Sequence, residues 1–384
     1  MPHPPVERKG AETQRTTPHA IAGAATRVVG TRAPQPASAP DPVLGGLLAR
    51  CGAGDQALHR AAAKLLTQEL LGRPLDNASL VFAVRTSGGP YVKPRGIRLR
   101  QEAATDLGAF AGPMREWLST LGLSTERRCG IASIQSESGY WLSVVAAEAL
   151  ADVAPLPLRI SPGTRLHFLA HLLVPATEAA LVVLGPKGPP RQLPASLAGD
   201  RVEASFFLDT PGLHQIQLVV DEAGGPGAAV EAWVGVGDTL PATVDAAPVP
   251  GEGLRIDPRE PERAIFEMLN AARVSEGLPP LAPDPRLAQL AERHAAAMRS
   301  SERLEHDLGD GNPRWRLEAE GVYAAAAGEN LARAASLTRA HRAIWASPSH
   351  RANLLNPHFD KVGIGVERSA SGEWWVCELL ADLR

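Results

Sequence analysis

Residues 326–335 read "AAGENLARAA", and a short helix later residues 345–355 read "WASPSHRANLL". Glu329 stands between Gly328 and Asn330, and His350 is followed by Arg351. Small, chemically inert residues surround both. Two readings stay open at this point. The acid and the imidazole belong to a site, or they are structural: Glu329 caps the strand or helix beside it, and His350, just after Ser347-Pro348, bonds backbone near a helix start.

Outward from these residues, segment 258–384 has an α/β pattern. "REPERAIFEMLNAARVSEG" puts Ile265, Met268, Leu269 and Ala272 on one helical face and stops at Gly277. "DPRLAQLAERHAAAM" opens with an Asp284 cap and Pro285 at the first helical position. Leu287, Leu290, Ala291, His294 and Met298 then line one side, which makes His294 a core or cleft-wall residue. Ser347-Pro348 repeats the cap-then-proline device. "KVGIGVE" and "EWWVCELL" are two strands joined by "RSASG", and the glycines of the first imply close packing. His341 reads as a surface histidine of its helix. Trp374 and Trp375 point to opposite faces of their strand. Asp307, Asp310 and Asn312 hint at calcium, but the run lacks the terminal glutamate of an EF-hand loop, and a tight turn explains it as well.

Upstream the pattern changes twice. Residues 153–240 follow a period of two in "TRLHFLAHLLV", "AALVVLGP", "RVEASFFLD", "HQIQLVVDE" and "AVEAWVGVG", separated by turn clusters. This predicts an antiparallel, immunoglobulin-like β-sandwich without an inter-sheet disulfide. Residues 241–257 are a Pro/Gly/Ala linker. Residues 42–152 read as α+β: a helix with Leu58, Ala62, Leu65, Leu66 and Leu70 on one face, a second over "MREWLSTLGL", and a hairpin turning at Ser138-Gly139. Without gaps, 129–150 matches 362–383 at Gly130/Gly363, Ile131/Ile364, Gly139/Gly372 and Trp141/Trp374, among others. Two explanations remain open, a first domain that is a degenerate copy of the last, or a chance likeness of two hairpins.

Composition narrows the function classes. A formal charge of −3 gives no basic stripe, so nucleic acid is not an expected partner. No apolar run approaches the roughly 20 residues of a membrane span. Three cysteines without CxxC spacing argue against a zinc ribbon or redox motif. A Cys51–Cys129 pair with an odd Cys377, and three buried reduced thiols, are both compatible with the sequence. Residues 1–41 read as a disordered, Pro/Ala/Thr-rich segment. The run Thr16 to Thr26 is too polar for a signal-peptide core, and Arg50 spoils a lipoprotein-type box before Cys51.

Taken in order, "LNAARVSEGLPPL", "LAQLAERHAAAM", "EHDLGDGNPRWR", "GENLA", "WASPSHRANLLNPHFDKVGIGV" and "GEWWVCELLAD" resemble the bacterial branch of the CAP superfamily. This is the SCP-like domain of cysteine-rich secretory, venom-antigen and pathogenesis-related proteins. The resemblance implies an α–β–α sandwich with a shallow cleft, and a secreted or cell-envelope binding protein whose partner is a small apolar ligand or a protein. It also implies a cleft set of His306, Glu329 and His350. The family's second acid is missing, because no Asp or Glu lies between Asn330 and His350. The spacing from Trp345 to His350 is one residue short of the commoner pattern. Two imidazoles and a carboxylate are a possible divalent-metal set, zinc first. Asn330, Ser347, Arg351 and His294 complete the expected cleft. Enzymatic activity is left open. If there is catalysis, Glu329, His306 and His350 would carry it as a metal-dependent, peptidase-type hydrolase. A third reading makes the β-sandwich an adhesion surface. In the first domain only His59 is available as an imidazole ligand.

Overall fold

The computed structural model describes residues 28–29, 42–102, 106–123, 126–136, 139–222, 224–237, 240–243, 248–255 and 257–383. Most of the N-terminal segment expected to be disordered, and Ser138 of the expected hairpin turn, lie outside the described residues. Strand β1 (Val28–Val29) pairs with β7 (Leu156–Pro157).

The first region runs α1 (Pro42–Cys51), β2 (Ala53–Gly54), α2 (Gln56–Leu70), α3 (Asn77–Thr86), β3 (Arg95–Gln101), α4 (Ala111–Ser119), β4 (Arg127–Ser136) and β5 (Gly139–Glu148). Its sheet has the order β2-β4-β5-β3. Alternation along β5 sends Leu142, Val144 and Ala146 toward Phe110 and Met114, and Val145 and Ala147 toward Leu58, Leu65 and Val84. Helices therefore cover both faces. A Cys51–Cys129 disulfide ties α1 to β4, leaving Cys377 free and buried. His59 is bound locally, its Nδ1 lying 2.9 Å from Ile131 O.

Two antiparallel sheets follow, built from β6 (Ala151–Val153), β8 (Arg159–Ile160), β9 (Thr164–Leu172), β10 (Ala179–Leu184), β11 (Arg191–Pro194), β12 (Ser196–Ala198), β13 (Arg201–Leu208), β14 (Gly212–Glu222) and β15 (Gly225–Val236). Their orders are β11-β10-β14-β15-β8, where the short β8 adds in parallel, and β12-β13-β9-β6. Leu166, Phe168, Ala170 and Leu172 of β9 face Leu181, Ile216, Leu218 and Val234 in one core, as the period of two requires. The short strands β6, β8, β11 and β12 were not visible in the sequence, being too brief to establish a period.

The last region comprises α5 (Pro261–Ser275), β16 (Ala282–Pro283), α6 (Pro285–Ser301), α7 (Pro313–Ala319), β17 (Ala326–Ala334), α8 (Leu337–Ala346), α9 (Pro348–Leu354), β18 (Lys361–Arg368) and β19 (Trp374–Asp382). Its sheet order is β16-β18-β19-β17. Val376 and Leu380 face α5, α8 and α9, while Trp375, Cys377 and Leu379 face α6 and α7. Asp284 caps α6 as expected, accepting from Arg286 N and Leu287 N.

The first and last sheets share more than strand order. Each begins with a two-residue strand pairing in parallel with the third strand. In each an aspartate, Asp55 or Asp284, caps the next helix. In each a strand glycine presses on that helix: a Cβ at Gly130 would come within 2.0 Å of the Leu58 carbonyl carbon, and one at Gly363 within 2.0 Å of that of Leu287. Arg100 stacks over Trp141 and Arg333 over Trp375. The register therefore equates Trp141 with Trp375, not with the Trp374 of the ungapped comparison, because the second hairpin turn is one residue longer.

One side chain departs from its sequence reading. His341 is fully buried, its Nε2–H donating to Pro250 O at 2.8 Å. Arg342 pairs with Glu252, so the described part of the linker is packed against α8. The histidine looked exposed in sequence because the segment covering it is remote along the chain.

Gly363→Ala is expected to push α6 off the sheet and cost about 3 kcal/mol in urea unfolding. Gly253→Ala, where nothing lies within 4 Å, serves as the unperturbed comparison.

Candidate functional site

Strand β17 delivers two adjacent polar side chains to opposite faces of the sheet. Glu329, 4% exposed, points toward α6 and α7, and Asn330 toward α8 and α9. Gly328 precedes them because Asn353 and Phe359 already fill the space a side chain would need.

The Glu329 carboxylate is fully engaged. His306 Nδ1–H donates to Oε1 at 2.9 Å, and Arg316 of α7 forms a buried ion pair with Oε2. The Cys377 thiol donates to the same Oε2 at 3.3 Å. His294 of α6 places Nε2 3.8 Å from Oε1 while donating to Glu305 O at 3.0 Å. Burial works to raise the pKa of Glu329. His306, Arg316 and His294 outweigh it and hold the carboxyl below the usual glutamate value. Arg316 also donates to His306 O at 2.6 Å and to Gly311 O at 2.9 Å, fixing the loop that carries His306. In that loop Asp307 Oδ1 accepts from Gly309 N and Gly311 N, and Asn312 caps α7. The calcium-like run is a tight turn.

Residues 266–379 match the model of the cysteine-rich secretory protein family, CAP. This part of the chain is a CAP domain. Over 112 residues the chain is 31% identical to the uncharacterized protein YkwD of Bacillus subtilis (strain 168), which covers 29% of this chain and 44% of that protein. The chain thus spans less than half the length of this curated relative. Among solved structures, an outer surface protein from Borrelia burgdorferi is 23% identical with a TM-score of 0.32, covering 34% of this chain and 99% of that one. An extracellular protein containing a SCP domain from Bacillus anthracis str. Ames is 17% identical with a TM-score of 0.29, covering 56% and 81%.

Of the three residues expected to meet in the CAP cleft, His306 and Glu329 are in direct contact. His350 lies in the first turn of α9, and its carbonyl accepts from Asn330 Nδ2 at 3.2 Å. Burial, with the charges of His306 and Lys93, lowers its imidazole pKa to about 4. His350 is therefore neutral at physiological pH. Among the described residues no group of three His, Cys, Asp or Glu side chains is arranged to hold an ion, and Oε2 of Glu329 is engaged by Arg316 and Cys377. The expected zinc site finds no support in this arrangement.

The remaining cleft candidates divide. His294 joins the Glu329 cluster. Asn330 bridges the CAP sheet to α9, with Asn353 donating to its Oδ1 at 3.1 Å. Arg351 instead stacks over Trp345, 3.9 Å from the ring centroid, and donates to Trp345 O. Ser347 Oγ lies 3.4 Å from Ser349 Oγ, and its side chain makes no cap bond to α9. Arg316 escaped the sequence reading, since nothing in "NPRWRLEA" separates a buried arginine from its exposed neighbours. So did Glu378, fully buried and directly opposite Asn330, whose Nδ2 donates to Oε2 at 3.0 Å. Burial raises the Glu378 pKa to about 7.

Arg316→Met leaves the Glu329 charge buried without its partner, and is expected to cost about 3–5 kcal/mol in denaturant unfolding near neutral pH. The two glutamates act on stability with opposite sign. Glu329, lowered, contributes stability present above its ordinary value and lost as pH falls through the folded pKa. Glu378, raised from 4.5 to about 7, contributes stability present below 4.5 and lost as pH rises through 7. Glu378→Gln is therefore expected to gain on the order of 3 kcal/mol over wild type at pH 8 and little at pH 4. Melting curves at the two pH values check this; equal gains at both would contradict it.

Proposed function

We propose that this chain is an extracellular or cell-envelope binding protein whose CAP cleft is a recognition surface and not a catalytic centre. The observation that carries this reading is the state of Glu329. Both of its oxygens are held, by His306 on one side and Arg316 on the other. A general base or a metal ligand needs a lone pair within reach of substrate or ion. Glu329 is 4% exposed and accepts from His306, Arg316 and Cys377, which leaves its carboxylate turned inward and engaged. It locks the His306 loop against the sheet, leaving the surface between His306 and His350 to recognise a protein or a small apolar molecule. The Cys51–Cys129 bond supports an oxidising compartment. Among the described residues no helix is long and apolar enough to cross a membrane.

Two architectural readings accompany this proposal. The first region is a degenerate copy of the CAP domain, a reading supported by the common strand order, the paired helix-contacting glycines and the paired arginine–tryptophan stacks. Gly96 occupies the position opposite Val145 that Glu329 occupies opposite Leu379, so such a copy would have lost the acid. The middle region is immunoglobulin-like, supported by two sheets closed over one core.

Calorimetric titration of the full chain with zinc discriminates the binding reading from a hydrolase. No saturable heat is expected for wild type or for His306→Ala. One-to-one binding abolished in His306→Ala, together with peptide hydrolysis lost in Glu329→Gln, would overturn the proposal in favour of the enzyme. Thiol trapping in the producing cell is expected to find Cys51 and Cys129 blocked, with Cys377 alkylated only after denaturation. Reduced Cys51 and Cys129 would remove the argument for an oxidising location.

A further inference from the structure

The segments that carry His306 and His350 are both bonded by the β-sandwich. The β14–β15 ribbon of the sandwich grips both walls of the CAP cleft. On one wall, Gly224 O accepts from His306 N and from Asp307 N, each at 3.0 Å. Gly225, at φ +92, lies so close to His306 that an added Cβ would be 2.7 Å from the histidine's own Cβ. Only a glycine combines that φ with that approach. On the other wall, Ser349 N, one residue before His350, donates to Gln217 Oε1 at 2.9 Å. Gln217 lies on the outward side of β14 yet is only 1% exposed.

The ribbon is anchored behind the cleft. Gln217 Nε2 donates to Glu231 Oε1 at 2.8 Å, Glu231 pairs with the buried Arg85 of α3, and Glu231 N donates to Pro90 O at 2.9 Å. The first region thus holds the ribbon at the level of Glu231; beside it Gln217 meets the segment bearing His350, while the tip at Gly224 rests on the segment bearing His306. The charge of Lys93 acts on both His350 and Glu222. The grip on the cleft is polar: three hydrogen bonds to backbone N–H groups, each worth roughly two- to tenfold in an equilibrium.

We propose that the β-sandwich, through its central β14–β15 ribbon, is a lid held in cis over the CAP cleft, released as a body when Gly224 and Gln217 let go of the segments bearing His306 and His350. The inference rests on the cleft being the recognition surface, and it adds an autoinhibited closed form. A ligand must compete with three intramolecular hydrogen bonds before it reaches the histidines, so its apparent affinity falls by the fraction of chains that are open.

Histidine reactivity tests the lid without knowledge of the ligand. The full chain is treated with diethyl pyrocarbonate at neutral pH, and the modified histidines are mapped by mass spectrometry. His171, half exposed in the sandwich, serves as the internal reference. Gly225→Val, which clashes with His306, and the milder Gln217→Ala, which removes only the Ser349 bond, are compared with wild type. His306 and His350 are expected to react about tenfold faster in Gly225→Val and several-fold faster in Gln217→Ala, the change that one or two lost hydrogen bonds imply, with His171 unchanged. Amide exchange at Asp307 and Ser349 is expected to rise in parallel. Should Gly225→Val fail to fold, Gln217→Ala and its Ser349 exchange carry the test. Unchanged rates in a folded variant, or wild-type cleft histidines as reactive as His171, would overturn the lid. A cleft that recognises nothing would leave these rate differences intact, so failure of the binding reading is told apart from failure of the lid.

Discussion

A single buried carboxylate organises the CAP domain. Glu329 would be costly to bury alone, and its burial is possible because a guanidinium pairs with it on one side and an imidazole hydrogen-bonds it on the other. That requirement propagates outward. Arg316 must lie on a helix whose N-terminus is fixed, so Asn312 caps α7. His306 must be presented at one height, so the loop carrying it is wound around Asp307 and pinned by Arg316 through two carbonyls. Even the cysteine of β19 is drawn in, its thiol held in the neutral form by burial and by the neighbouring carboxylate.

The other face of the same strand follows a different rule. Glu378 of β19 has Asn330 as its hydrogen-bond partner, and burial raises its pKa. One acid thus lies beneath α6 and α7 and the other, across the sheet, beneath α8 and α9. The protein tolerates both buried acids because their environments push their pKa values in opposite directions, Glu329 down and Glu378 up.

The sequence made much of this framework legible. Helical stripes such as Ile265, Met268, Leu269 and Ala272 repeat often enough to identify the buried face, and Asp284-Pro285 marks where α6 starts. The five long strands of the sandwich carried their period of two over enough residues to be seen. Lost were features that depend on partners remote in the chain. Arg316 is one of several arginines until the fold brings Glu329 to it. His341 is buried by Pro250, some ninety positions away. The zinc expectation found no support for the same reason: His306, Glu329 and His350 state which donors exist, but not that an arginine is already paired with one of them. Likewise, an ungapped comparison of the two hairpins could not detect the one-residue difference in turn length that the pairing register makes plain.

The Cys51–Cys129 cross-link also has a mechanical consequence. It spans a sequence separation of 78 residues, which at about 3.4 Å per residue amounts to roughly 260 Å of contour. Tension transmitted along the chain bypasses that length altogether, running from α1 straight into β4. Whatever pulls on a chain of this build would therefore load the sandwich and the CAP domain, while most of the first region is shielded from extension.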